Sequence, residues 1–147
     1  MSRYMLIMRT GPEAEALMAE QEIDFDEIIE SMGRFNEELI KAGVMLAGEG
    51  LHPSSKGVRI EFGGEQPKVV DGPFAETKEL IAGFWIMEVD SLEDAVEWIK
   101  RCPNPDGVHG EIEIRQVFEA EDFGEEFTPE LREQQERLRA EYEDDPK

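Results

Sequence analysis

Hydrophobic residues recur with two different spacings in the first half of the chain, and the two spacings predict different elements. Residues 3–9 form a short apolar run typical of a strand, whereas apolar residues between 28 and 40 recur every three or four positions, as on one face of a helix. Gly43 follows this helical pattern and is a common helix terminator. Further extended segments are predicted at residues 44–48, 58–62 and 68–70.

The second half of the chain continues this succession of strands and helices. Residues 80–89 are apolar on both faces, which is typical of a strand in the middle of a sheet. Ser91, with Asp94 three positions later, predicts the start of a helix, and Cys102-Pro103 predicts its end. Residues 112–118 alternate apolar and charged positions and predict a last strand. This order of elements predicts an α+β fold with the ferredoxin-like split βαβ arrangement and an additional hairpin.

Length and cysteine content favour a single domain without disulfides. A chain of 147 residues can bury a core without disulfide or metal support, and its only cysteine, Cys102, excludes an intramolecular disulfide. The apolar run at residues 4–8 is too short for a signal peptide or a membrane span. We therefore expect a cytoplasmic protein with no membrane partner.

The net charge of −21 comes mainly from two segments. Residues 12–38 contain ten acids and one arginine, and residues 119–147 contain twelve acids and four bases. We interpret both as solvated acidic faces, and the chain has no basic footprint for nucleic acid. Thr128 and Pro129 predict a helix start in the tail. The predicted division is a domain at 1–118 and an acidic, helical extension at 119–147.

The stretch VVDGPFAETKE at residues 69–79 is the strongest candidate for chemistry. Asp71-Gly72-Pro73 is favourable turn chemistry, but a turn alone does not need the large aromatic Phe74 that follows. If the stretch lines a cleft, Asp71 is the candidate general base, and we expect it to be buried against Phe74 and Trp85. A purely structural turn is the alternative interpretation.

His52 is the second candidate, because it lies next to Pro53 and close to Ser54 and Ser55. This group could transfer a proton or hold an anionic part of a ligand, and a solvent-facing loop histidine is the alternative. We expect His109 at the surface and Cys102 as a structural, half-buried thiol. Two histidines and one cysteine show no metal-ligand spacing, so neither a metal nor a cofactor is predicted.

Several motifs occur together in an order that resembles a known family. The runs VVDGPFAETKELIAGFWIMEV, LEDAVEWIKRCP and EIEIRQVF, preceded by GEGLHPSS, resemble the DGPF subgroup of the YCII-related family over residues 3–118. The resemblance implies a ferredoxin-like subunit whose open sheet pairs with a second copy in a dimeric α+β barrel. Some relatives are described with a catalytic histidine and aspartate; Asp71 lies in the matching motif, and His52 is the natural candidate for the histidine.

Two hypotheses of different class follow from the residues and the resemblance. The first is a small-molecule site in each subunit of a homodimer, with cofactor-independent acid/base catalysis by Asp71 and His52 and with Phe74, Trp85, Ser54 and Ser55 as ligand contacts. The second is a regulatory or interaction protein, because members of the subgroup are associated with extracytoplasmic-function sigma factors. In the second case the acidic face and tail would bind a basic partner.

Overall fold

The structure is a computed structural model that describes residues 1–19, 25–74, 80–103 and 110–144. The chain forms two compact units, Met1–Gln116 and Val117–Lys147, and each is described by itself. The first unit contains, in chain order, β1 (Ser2–Thr10), α1 (Pro12–Ala19), α2 (Phe25–Lys41), β2 (Met45–Gly50), a 3₁₀ turn (Ser54–Lys56), β3 (Val58–Glu61), β4 (Lys68–Asp71), β5 (Leu80–Val89), α3 (Leu92–Ile99) and β6 (Glu111–Gln116).

Four of the strands form one antiparallel sheet in the order β2-β5-β1-β6. The predicted central strand at 80–89 is therefore confirmed, because β5 pairs with β2 on one side and with β1 on the other. Tyr4 of β1 lies opposite Met87 of β5 and Gln116 of β6, which fixes the register of three strands at one level. The fold is thus α+β, with an antiparallel sheet and helices, as the order of elements predicts.

The hydrophobic core lies between the sheet and α2. Leu6, Leu39 and Met87 are completely buried there, and the rings of Phe35 in α2 and Trp85 in β5 pack nearly perpendicular to each other at a centroid distance of 5.9 Å. The apolar positions of α2 reach this core because their spacing puts them on one helix face. The helix ends where predicted, since Gly43 adopts a φ of 73° and its N–H donates to the carbonyl of Ile40.

The start of α3 is also confirmed at the predicted residue. The Ser91 Oγ accepts a hydrogen bond of 3.2 Å from the backbone N–H of Asp94, which satisfies one of the free donors of the first turn. Ala95 faces the core and is fully buried, and Cys102 packs against the same core just after the helix. The helix therefore covers the sheet next to α2.

The opposite face of the sheet carries a second apolar surface, which we call the open sheet face: Met5, Ile7, Phe84 and Ile86. Met5 lies opposite Ile86 and Ile7 opposite Phe84, so these four side chains share one face, while Leu6 and Trp85 point to the other. All four are only half-buried in the single chain. This face differs from the core face in that α2 and α3 do not bury it.

Strands β3 and β4 form a separate two-stranded hairpin. They pair antiparallel, with Val58 opposite Asp71 and Ile60 opposite Val69. Within the two strands only Val70 is partly buried, and all the others are exposed. The predicted extra hairpin is therefore present, and it does not join the four-stranded sheet.

The second unit contains a 3₁₀ segment (Ala120–Glu126) and α4 (Pro129–Asp144). Phe123 lies between two other rings, with centroid distances of 5.0 Å to Phe118 and 5.4 Å to Phe127. The predicted cap is confirmed, since the Thr128 hydroxyl accepts a hydrogen bond from the N–H of Leu131. The last strand ends at Gln116 and not at residue 118 as predicted, because Phe118 belongs to this aromatic group and not to the sheet.

Candidate functional site

The turn at residues 71–74 packs directly on the 3₁₀ turn at Ser54–Lys56. The N–H of Gly72 donates to the carbonyl of Gly57 over 2.9 Å, and the N–H of Phe74 donates to the Ser54 hydroxyl over 3.1 Å. The peptide bond between Gly72 and Pro73 is cis. These contacts bring together the two sequence motifs that were singled out separately, GEGLHPSS and DGPF.

Gly72 is required here by a close approach of two backbone segments. A Cβ atom at this position would lie 1.8 Å from the carbonyl oxygen of Ser54 and 2.7 Å from its carbonyl carbon. Real side-chain carbons do not approach backbone atoms that closely, and backbone cannot move aside as a flexible side chain can. The glycine therefore allows one turn to lie against the other.

Ser54 holds three segments of the chain together. Its hydroxyl donates to the Oε1 of Glu15 over 2.6 Å and accepts from Phe74, and its backbone N–H donates to the Oε2 of Glu15 over 2.9 Å. Glu15 lies on α1, so one carboxylate fixes the 3₁₀ turn through two hydrogen bonds. The hydroxyl that was predicted to contact a ligand is already occupied by protein partners, whereas Ser55 is exposed.

Asp71 and His52 are both exposed in the single chain. The predicted burial of Asp71 against Phe74 and Trp85 is therefore not found. Asp71 is the last residue of β4, and its side chain lies on the same side of the β3–β4 hairpin as that of its partner Val58. His52 lies two positions before the Ser54 turn. Both side chains are accessible next to a rigid pair of turns.

The two aromatic residues predicted for the site have different surroundings. Phe74 is half-buried, and the guanidinium carbon of Arg59 lies 4.0 Å from its ring centroid, a cation–π contact. Trp85 is only 4 % exposed, and its indole N–H donates to the Oδ1 of Asn36 over 2.8 Å. Trp85 is thus a core residue whose polar atom is satisfied, because its β5 position faces α2.

Sequence reasoning missed two residues of this group, Glu15 and Arg59. Glu15 was counted among the acids of a solvated face, and no local pattern distinguishes it from its neighbours. Arg59 alternates with apolar residues on β3 and looks like an ordinary exposed strand position. The contact of each depends on a segment distant in sequence, Ser54 for Glu15 and Phe74 for Arg59.

Cys102 behaves as the predicted structural thiol. Burial raises the pKa of the Cys102 thiol to about 11, because a charged thiolate is poorly solvated there. In the part of the chain that the structure describes, no group of three or more histidine, cysteine, aspartate or glutamate side chains is placed to hold a metal ion. The described helices also include none that is long and apolar enough to cross a membrane.

Comparison with known proteins shows which family the chain belongs to. The model of the YCII-related domain matches residues 2–121, which include the sheet, the hairpin and both turns. The chain belongs to the YCII-related family. All the candidate residues lie inside the match, whereas α4 lies outside it: Glu15, His52, Ser54, Ser55, Arg59, Asp71, Phe74 and Trp85.

The YCII-related chain is also similar to an uncharacterised protein of Rhizobium meliloti (strain 1021). The two are 26 % identical over 90 residues, which are 61 % of this chain and 73 % of that protein. The name of that relative assigns it no activity. A functional proposal must therefore be based on the chemistry of the residues in the two turns.

Proposed function

We propose that this protein is a homodimer of ferredoxin-like subunits, of the DGPF subgroup of its family, which binds a small molecule beside the turn at residues 71–74. The strand order β2-β5-β1-β6, all antiparallel with helices on one face, supports the ferredoxin-like assignment. The dimeric α+β barrel follows if two open sheet faces pack together. An apolar sheet face left half-covered in a single chain favours such an association.

The observation that carries the binding proposal is that protein contacts hold the two turns together in one arrangement. An ordinary surface turn needs neither a glycine in contact with a remote carbonyl nor a serine bonded to a helix carboxylate. Here Gly72, Ser54 and Glu15 hold the backbone around Asp71 and Phe74 in one arrangement. Binding sites use such rigid support to hold exposed side chains in position.

The exposed side chains around the turns suit a polar ligand with an acidic group. His52 and Arg59 supply hydrogen-bond donors, Arg59 carries a positive charge, and Asp71 supplies a carboxylate that can accept a proton. If the bound molecule has a labile proton, Asp71 acts as the general base and His52 as its acid/base partner. This chemistry needs no cofactor.

A ligand screen with one matched control tests the proposal. Small anionic and aromatic metabolites are screened by thermal shift on the wild-type protein, and hits are measured again on Asp71→Asn and Asp90→Asn. Both changes remove one exposed carboxylate, but Asp90 lies just before α3. We expect Asp71→Asn to abolish the shift and Asp90→Asn to leave it unchanged. A shift that survives in both variants would count against a ligand site at Asp71.

A second candidate function rests on the second unit. Its residues carry eleven acids and three bases between positions 117 and 144, and Phe118 and Tyr142 are more than two-thirds exposed. Exposed aromatic anchors among acids fit a basic, partly apolar protein partner. In this regulatory alternative the partner is an extracytoplasmic-function sigma factor. Binding should then weaken steeply with salt and be lost when residues 117–147 are removed.

A further inference from the structure

Three aromatic rings lie next to each other at the start of the second unit, and we call Phe118, Phe123 and Phe127 the aromatic group. The centroids of neighbouring rings are 5.0 Å and 5.4 Å apart, and their planes are inclined by 32° and 35°. These contacts are closer to stacked than to edge-to-face. Phe123 is the middle ring, so each of the two end rings has one neighbour in the group.

The end ring of Phe127 already has a cation of the same unit beside it. The guanidinium carbon of Arg132 lies 5.8 Å from the Phe127 ring centroid, a cation–π contact. Both residues are half-buried. The unit itself thus shows that a guanidinium can cover a ring of the aromatic group.

The end ring of Phe118 is open to solvent. Phe118 is 71 % exposed, compared with 46 % for the middle ring, Phe123. Within the residues that the structure describes, no lysine or arginine lies over the Phe118 ring. Phe118 therefore has room for a cation that comes from another molecule.

The aromatic group is not part of a hydrophobic core. No side chain is buried in the described part of the second unit, residues 117–144. Contact of large apolar rings with water is unfavourable, so adjoining exposed rings are typical of a surface that a partner covers. Aromatic residues are also enriched where proteins bind each other. The aromatic group thus has the character of a binding surface.

Charge determines which kind of partner fits this surface. Between Phe118 and Phe127 the chain has five acids and no base. Nucleic acids and membrane surfaces are anionic, and a second copy of this chain has a net charge of −21, so all three are repelled. A positively charged protein segment is attracted instead.

Arginine is the side chain that suits both features of the surface. Its planar guanidinium stacks on an aromatic face, and its N–H groups at the same time donate hydrogen bonds to carboxylates. The 3₁₀ segment between the end rings supplies exposed carboxylates, among them that of Glu121, three residues after Phe118. A lysine ammonium is more strongly hydrated and does not stack in this way.

We propose that the aromatic group binds an arginine-bearing segment of a protein partner, with one guanidinium stacked on the Phe118 ring. The arginine of the partner then covers one end of the group as Arg132 covers the other. This inference rests on the second candidate function, the basic protein partner, and assigns it a specific contact. It is independent of the dimer and of the turn at residues 71–74.

Nuclear magnetic resonance of the full chain with two peptide probes tests the contact. The eight phenylalanine rings are labelled with ¹³C, and the Phe118 signals are identified by their loss in Phe118→Leu. The probes are hexa-arginine and hexacitrulline, which has side chains of the same shape without the charge. We expect hexa-arginine to shift the Phe118 ring signals, and hexacitrulline to shift them at least fivefold less.

Two matched variants separate the ring contact from general attraction of a cationic peptide to an acidic protein. Phe118→Leu keeps an apolar side chain but removes the ring face, and Phe62→Leu makes the same change at an 80 % exposed phenylalanine of the first unit. The Phe123 signals report the dissociation constant of hexa-arginine in every chain. We expect Phe118→Leu to raise this constant about two- to fivefold and Phe62→Leu to leave it unchanged.

The possible failures of this inference and of the basic-partner alternative are distinguishable. Absence of hexa-arginine binding to the wild-type chain would overturn both. Binding that Phe118→Leu does not weaken would overturn the ring contact and keep the alternative, since the carboxylates alone would then hold the peptide. Equal weakening by Phe118→Leu and Phe62→Leu, or equal shifts of Phe118 with the two probes, would also overturn the contact.

Discussion

At the residue scale, the candidate site depends on a glycine without a side chain, Gly72, and on a serine whose hydroxyl already has protein partners, Ser54. Gly72 has no Cβ, and this absence lets the turn at residues 71–74 touch the carbonyl of Ser54. Ser54 in turn uses its hydroxyl for Glu15 and Phe74. The two candidate acid/base residues, Asp71 and His52, stay accessible. Some residues of the two turns thus hold the backbone in place, while others are exposed to solvent.

Replacement of Gly72 by alanine should destabilise the fold. The added methyl group would meet backbone at 1.8 Å, so the two turns must separate, and we expect a loss of about 1 to 3 kcal/mol in the free energy of unfolding. Gly64→Ala is the matched control, since its Cβ would meet only the Gln66 carbonyl oxygen at an ordinary 3.8 Å. Urea denaturation measures both. Equal stability of the two variants would show that the close approach does not exist.

The Cys102 thiol should react slowly until the solution is strongly alkaline. Burial raises its pKa from 9.0 to about 11, so at pH 8 the folded protein should be alkylated by iodoacetamide about 100-fold more slowly than the urea-unfolded chain. The raised pKa of Cys102 also makes the stability of the fold depend on pH. The unfolded chain loses this proton first, so stability should fall as pH rises from about 9 to about 11. Similar alkylation rates in both states at pH 8 would contradict a buried thiol.

At the scale of elements, periodicity predicted the structure wherever an element has an apolar face of its own. The strand at 80–89 and the Ser91 cap were predictable because burial and capping are local patterns. Helix α1 was not predicted, since its eight residues mix alanines and acids without a clear apolar face. The site was predictable only in part for the same reason: the contacts of Ser54 with Glu15 and Phe74 join residues 39 and 20 positions apart.

The bond between α1 and the Ser54 turn should contribute measurably to stability. Ser54→Ala removes the donor to Glu15 and the acceptor for the Phe74 N–H, and we expect a loss of about 1 to 3 kcal/mol. Ser55→Ala removes a neighbouring, exposed hydroxyl and should change stability by less than about 0.5 kcal/mol. Thermal denaturation of the two variants measures the difference. If Ser55→Ala were the more damaging change, the assignment of the network to Ser54 would be wrong.

At the scale of the whole molecule, stability and charge reside in different parts of the chain. The buried hydrophobic residues that the structure describes lie between Tyr4 and Ala95. The second unit starts at Val117, and more than a third of the net charge of −21 belongs to it. Its aromatic group and its capped helix are formed by contacts within the unit. Each unit thus has local interactions of its own, but the described core belongs to the first.

Removal of residues 117–147 should therefore leave the first unit folded. A chain of residues 1–116 keeps all the core residues that the structure describes, including Ile112 and Ile114 of β6, so we expect cooperative unfolding with a Tm within about 5 °C of the full chain. A chain of residues 1–89 is the control, because it loses Ala95 and the pairing of β6 with β1, and it should not fold. Differential scanning calorimetry compares the three chains. A non-cooperative transition in residues 1–116 would mean that the acidic unit completes the core, because the loss of net negative charge alone should favour the compact state.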